Sequence, residues 1–83
     1  MKVEVRYFAS IRERLGAAET VDLPPGSTVA ALRALLIARS AAHAEALAPG
    51  RALRSALNQT LCDGAAVVGE GAEVAFFPPV TGG

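Results

Sequence analysis

Eighty-three residues, 52% apolar and 19% charged, suit one small folded domain with a thin core, because a chain this short buries only about 60% of its unfolded surface. Eight basic residues balance eight acidic ones, which removes the positive field that a nucleic-acid or anionic-membrane binder needs. No apolar run approaches the roughly 20 residues of a membrane helix, MKVEVRYF alternates rather than forming a signal-peptide block, and a lone Cys62 closes no internal disulfide. The expected compartment is the cytoplasm, with neither nucleic acid nor membrane as partner.

Along the chain, KVEVRYFA sets Val3, Val5 and Tyr7 on one side and Lys2, Glu4 and Arg6 on the other, the period of a half-buried strand, until Phe8 breaks the polar side. IRERLGAAETVDL is less regular. Its Leu15-Gly16-Ala17 reads as a turn and ETVDL as a returning strand, so the chain is expected to open with a hairpin. Pro24-Pro25-Gly26 ends that strand, and Ser27 or Thr28 stands ready to cap VAALRALLIARS. Val29, Leu32, Leu35 and Leu36 lie there at helical spacing, predicting the main helix.

AAHAEALAPG favours a short second helix that stops at Pro49-Gly50. LRSALNQTL then reads as a strand, Asp63-Gly64 as a turn, AAVV as a short extended piece and Gly69-Glu70-Gly71 as a second turn. AEVAFF alternates, with Val74 and Phe76 on one face and Ala75 and Phe77 on the other. This order predicts an α+β domain, a sheet of four to five strands crossed by one main helix. Burying Val3, Val5, Tyr7, Val74 and Phe76 against that helix leaves Phe8 and Phe77 outside, a candidate partner-binding patch near the carboxyl end.

Conventional catalytic groups are few. His43 sits among alanines, where a structural role is expected, and one His with one Cys makes no zinc or iron–sulfur site. Cys62 lies between Leu61 and Asp63, and a neighbouring carboxylate disfavours the thiolate. Neither a phosphate loop nor a GxGxxG fingerprint is present.

The reactive candidate is the end itself, FFPPVTGG. Pro78-Pro79 cannot supply ladder N–H groups, so strand pairing is expected to stop at Phe77 and residues 78–83 to leave the 1–77 domain as an extended arm. Fully extended, that arm spans on the order of 15–20 Å. Gly82 and Gly83 let a backbone pass where no side chain fits. Their carboxylate, ionised at neutral pH, resists nucleophilic attack until it is converted to an activated acyl group.

VRYFASIRERLG, ALNQTL and GAEVAFFPPVTGG together resemble the small subunits of molybdopterin synthases, sulfur carriers with a ubiquitin-like β-grasp fold. The resemblance runs over the whole chain and is most specific at the terminal string. It implies that an ATP-using activating enzyme converts the Gly83 carboxylate to an acyl adenylate, and that sulfur from a persulfide donor, a cysteine desulfurase or rhodanese-like protein, replaces the adenylate to leave a thiocarboxylate. It also implies insertion of the arm into a large synthase subunit, in a heterotetramer of two small and two large subunits, where sulfur passes to cyclic pyranopterin monophosphate to build the molybdopterin dithiolene.

By this resemblance Gly83 carries the reacting atom, Gly82 allows passage through a narrow channel, and Thr81, Val80, Pro79 and Pro78 make positioning contacts. Phe8 and Phe77, joined by Leu61, form the docking patch. No metal or cofactor is expected on this chain, ATP being used by the activating partner, and the chain has no autonomous active site although the complex is a sulfurtransferase. Three other readings compete: a protein modifier linked through Gly83 to target lysines, the thiazole-forming sulfur carrier of thiamine synthesis, and a structural binding module with an incidental tail.

Overall fold

The computed structural model describes residues 1–79. Strand β1 (Lys2–Tyr7) leads through helix α1 (Ala9–Leu15) to β2 (Ala18–Asp22), then helices α2 (Val29–Ile37) and α3 (Ala41–Ala46), and finally β3 (Arg54–Leu57), β4 (Thr60–Cys62) and β5 (Glu73–Phe77). The strands form one mixed sheet in the order β2-β1-β5-β3-β4. Only the central β1–β5 pair is parallel; the other three pairings are antiparallel. This is the α+β arrangement the sequence predicts, with five strands and α2 as the longest of three helices.

Alternation in β1 and β5 works as expected. Val3, Val5, Tyr7, Val74 and Phe76 are all buried and meet Val29, Leu32 and Leu36 of α2 in one cluster. Each fully buried aliphatic side chain of this kind contributes about 1.5–3 kcal/mol through removal from water. Thr28 is the N-cap of α2, its hydroxyl accepting from the Ala31 N–H at 3.1 Å. The helix stops at Ile37, three residues before the end of the predicted segment, because Ser40 caps a new helix, its hydroxyl accepting from the His43 N–H at 3.1 Å.

Two expectations are corrected. The first two strands do pair antiparallel, yet they are joined by α1 rather than by a hairpin turn. α1 begins with Ala9 at φ 54, a left-handed residue that swings the chain out of β1, and its N-cap Phe8 supplies no side-chain hydrogen bond. LRSALNQTL is likewise not one strand but the hairpin β3–β4, turning at Asn58 and Gln59 with φ of 49 and 68. The AAVV piece contributes a single bridge, Val67 to Thr28. Just before it Gly64 passes so close to α2 that a Cβ there would lie 3.2 Å from that of Ala30.

No helix of the described residues is long and apolar enough to cross a membrane.

Candidate functional site

The face of the sheet turned away from α2 is built by the residues that alternate with the core. On β5 these are Glu73, Ala75 and Phe77, and on β1 Lys2, Glu4 and Arg6. Register lines up a row across four strands: Arg6 stands opposite Ala75, Ala75 opposite Ala56, and Ala56 opposite Leu61. Phe77 stands opposite Arg54 in the next row. Phe8 follows β1 on the same side, its N–H donating to the Phe76 carbonyl at 3.2 Å.

Small side chains at positions 56 and 75 make the middle of this face low, and Phe8 and Phe77 rise beside it. The result is an open basin lined by Arg6, Phe8, Ala56, Gln59, Glu73, Ala75 and Phe77. Leu61 is 64% exposed and Phe8 44%. Burying side chains of that size against another surface is favourable by roughly 25 cal/mol per Å² of apolar area. Arg6 closes the polar side of the basin, its Nε donating to Glu4 at 2.9 Å and lying 2.8 Å from Glu73. The sheet register therefore gathers Phe8, Leu61 and Phe77 on one face. Ala56, Ala75, Gln59 and the Arg6 ion pairs join them, although the sequence pattern had not singled them out. A strand partner two elements away is what places Ala56 between Ala75 and Leu61, and periodicity within one segment carries no sign of it.

Of the arm, Pro78 is half-buried and Pro79 exposed, directly after the end of β5. Val80, Thr81, Gly82 and Gly83 lie outside the described residues.

A second group of titratable side chains lies around β2, away from this face. Glu19 faces inward from β2 and gathers three donors: the Tyr7 hydroxyl at 2.7 Å, His43 Nε2 at 2.7 Å and Arg39 Nη1 at 2.6 Å. A carboxylate only accepts, so Nε2 donates to it, while Nδ1 lies 2.7 Å from the Ser40 hydroxyl. The Tyr7 and His43 rings meet edge to face, centroids 6.4 Å apart. Burial works to raise the Glu19 carboxyl, and the hydrogen bonds from His43, Tyr7 and Arg39 together outweigh it, so the group titrates below its ordinary value. Tyr7 is pushed upward, first by burial and then by its bond to Glu19. His43 thus ties α3 to β2. Cys62 is a half-buried free thiol whose Sγ lies 3.8 Å from the Ser55 hydroxyl on the inner face. Among the described residues no group of three or more His, Cys, Asp or Glu side chains could hold a metal ion. The open face offers contact area and ion pairs.

Comparison with known proteins bears on that arrangement. The ThiS family profile matches residues 5–83. The molybdopterin synthase sulfur carrier subunit of Escherichia coli is 44% identical over 81 residues, covering 98% of this chain and 99% of that protein. A protein–protein complex of subunits 1 and 2 of the molybdopterin-converting factor from Helicobacter pylori contains a chain 30% identical, with a TM-score of 0.70 and full coverage of both chains. The crystal structure of the H. volcanii small archaeal modifier protein 1 is 25% identical, with a TM-score of 0.76, covering 95% of this chain and 98% of that one.

Proposed function

The chain belongs to the ThiS family, and from that premise we propose that it is the sulfur carrier subunit of a molybdopterin synthase. The observation that carries the reading is the apolar face of Phe8, Leu61, Ala75 and Phe77 at the foot of a segment ending in Gly82-Gly83. A face of that kind docks the domain on a larger protein while the backbone of Gly82-Gly83 enters a cleft too narrow for side chains.

In this reading a partner enzyme adenylates the Gly83 carboxylate with ATP, the persulfide of a cysteine desulfurase or rhodanese-like donor displaces AMP to form an acyl disulfide, and a thiol cleaves that bond to leave a thiocarboxylate and a disulfide. The same face then docks on the large synthase subunit, in an assembly of two small and two large chains. Gly82 threads the channel and Val80, Thr81, Pro78 and Pro79 hold the arm in register. That subunit's residues direct sulfur onto cyclic pyranopterin monophosphate, twice per dithiolene. The division of labour accounts for a carrier whose His43 and Glu19 are spent on packing: the acyl group travels, and each partner brings its own catalytic groups. In this reading the chemistry runs in the cytoplasm.

Intact-mass measurement of the protein purified with its activating enzyme and sulfur donor tests the assignment. A shift equal to oxygen replaced by sulfur, confined to Gly83, is expected; a carboxylate that never changes overturns it. Likeness to a small archaeal modifier protein supports a second reading, amide linkage of Gly83 to target lysines. Ladders of conjugates on denaturing gels that survive thiol reduction would favour that modifier. The thiazole-forming carrier of thiamine synthesis shares the Gly-Gly end, and the Phe77-Pro78-Pro79 element speaks for the molybdopterin branch.

A further inference from the structure

A carrier with an activated terminus carries its own potential acceptors, and here they are few and distant. Lys2 is the only lysine among the eight basic residues; the others are arginines, whose guanidinium keeps its proton and offers no lone pair to an acyl carbon. Lys2 Nζ lies 3.3 Å from one oxygen of Asp22, and the Met1 ammonium 3.3 Å from the other. Asp22 stands opposite Lys2 on β2, which flanks β1 on the side away from β5. Both amines are therefore drawn away from the strand that leads into the arm.

The parallel register of β1 and β5 sets the distance. Glu4 pairs with Glu73 and Tyr7 with Phe76, so Phe77 lies level with Phe8 and Lys2 lies about 20 Å back along the sheet. The arm from Pro78 to Gly83 reaches about 20 Å at full extension. To meet Lys2 of its own chain it would have to run straight back along its whole length. Near the end of β5 the basic residues are arginines: Arg54 stands directly opposite Phe77, and Arg12 follows one helical turn after Phe8, the N-cap of α1 and the residue level with Phe77. Cys62, the other competent nucleophile, is turned to the inner face beside Ser55.

Resting on the reading that Gly83 is activated as an acyl adenylate, we propose that this placement of amines protects the activated terminus from acylating its own chain. The reaction held off is a simple one. An amine nitrogen attacks the Gly83 carbonyl carbon, a C–N bond forms, the C–O bond to AMP breaks with its electron pair leaving on AMP, and the amine proton passes to water. The product is an amide that no longer accepts sulfur, so each such event removes one carrier. Arginine at positions 12 and 54 keeps the positive charge of that region while withholding the nucleophile.

The test is to incubate the full-length chain with its ATP-dependent activating enzyme and ATP, with no sulfur donor, and to follow pyrophosphate release, which marks adenylate formation, beside intact mass and peptide mapping. Wild type and Lys2→Arg are expected to release pyrophosphate and to stay almost wholly unacylated. Arg54→Lys and Arg12→Lys are expected to accumulate, at least tenfold faster, a thiol-resistant product lighter by one water and mapped from Gly83 to the new lysine. Two variants guard against one of them disturbing docking, which the pyrophosphate signal would reveal. If wild type acylates itself as fast as both lysine variants, or neither variant acylates despite normal pyrophosphate release, the protection idea is wrong while the carrier reading stands. If no pyrophosphate is released with any chain, the carrier reading fails and takes this proposal with it.

Discussion

Glu19 occupies an inward position of β2 that the alternation of strands would give to an aliphatic residue, and it is tolerated there because three donors meet it. Its folded-state value is depressed. The stability it supplies is thus fully present above the ordinary glutamate range near 4.3 and is lost as pH falls through the lower folded value. Tyr7 is shifted the other way, so its share is present below about pH 10 and declines as pH rises beyond it. Glu19→Gln should lower stability by about 1–3 kcal/mol at neutral pH and flatten the acid limb of a chemical-denaturation series run from pH 2 to 7. An unchanged acid limb would show that other carboxylates dominate acid unfolding. At the same scale, Leu61→Asp or Phe77→Asp should weaken binding to the large synthase subunit by at least about 30-fold, the cost of a hot-spot side chain. Calorimetric titration measures this, and the thermal midpoint, expected to move by only a few degrees, separates lost docking from lost fold.

Elements read unevenly from the sequence, and the reasons are local. α2 was legible because capping, spacing and burial agree: Thr28 caps it and Val29, Leu32 and Leu36 are all inside. Leu32→Ala should cost about 2–5 kcal/mol by urea unfolding, as a cavity beneath the sheet demands. α1 gave no such signal. It has seven residues, one buried side chain, no cap and no acidic residue in its first turn, and it starts from the left-handed Ala9. The β3–β4 hairpin was missed because its turn uses Asn58-Gln59, both at positive φ, where Asn-Gly is the recognisable pair. Gln59→Gly should therefore stabilise the domain by about 0.5–1 kcal/mol, removing a left-handed strain that glycine does not feel. A fall in the denaturation midpoint would mean that the Gln59 side chain contributes more at the basin than its backbone costs.

For the whole molecule, the proposed carrier divides into a platform, residues 1–77, and a reactive end, residues 78–83. Deleting Gly82-Gly83 should leave the melting curve and large-subunit docking nearly unchanged and abolish thiocarboxylate formation; retained sulfur transfer by the truncated chain would sink the carrier reading. The zero net charge and the apolar character of the face proposed for docking predict that large-subunit affinity changes little between low and physiological salt, because few charges need be paired across the interface. By itself the sequence determined the α+β class and the core faces of β1, α2 and β5, since each follows from side-chain period or residue type within one segment. Only the tertiary structure decided that Ala56 and Ala75 hollow the face between Leu61 and Phe77, that Glu19 joins Tyr7, His43 and Arg39, and that Lys2 stands far from the end of β5. Those are relations between strands remote in the chain, set by the register and direction of pairing, and periodicity along one segment holds no record of them.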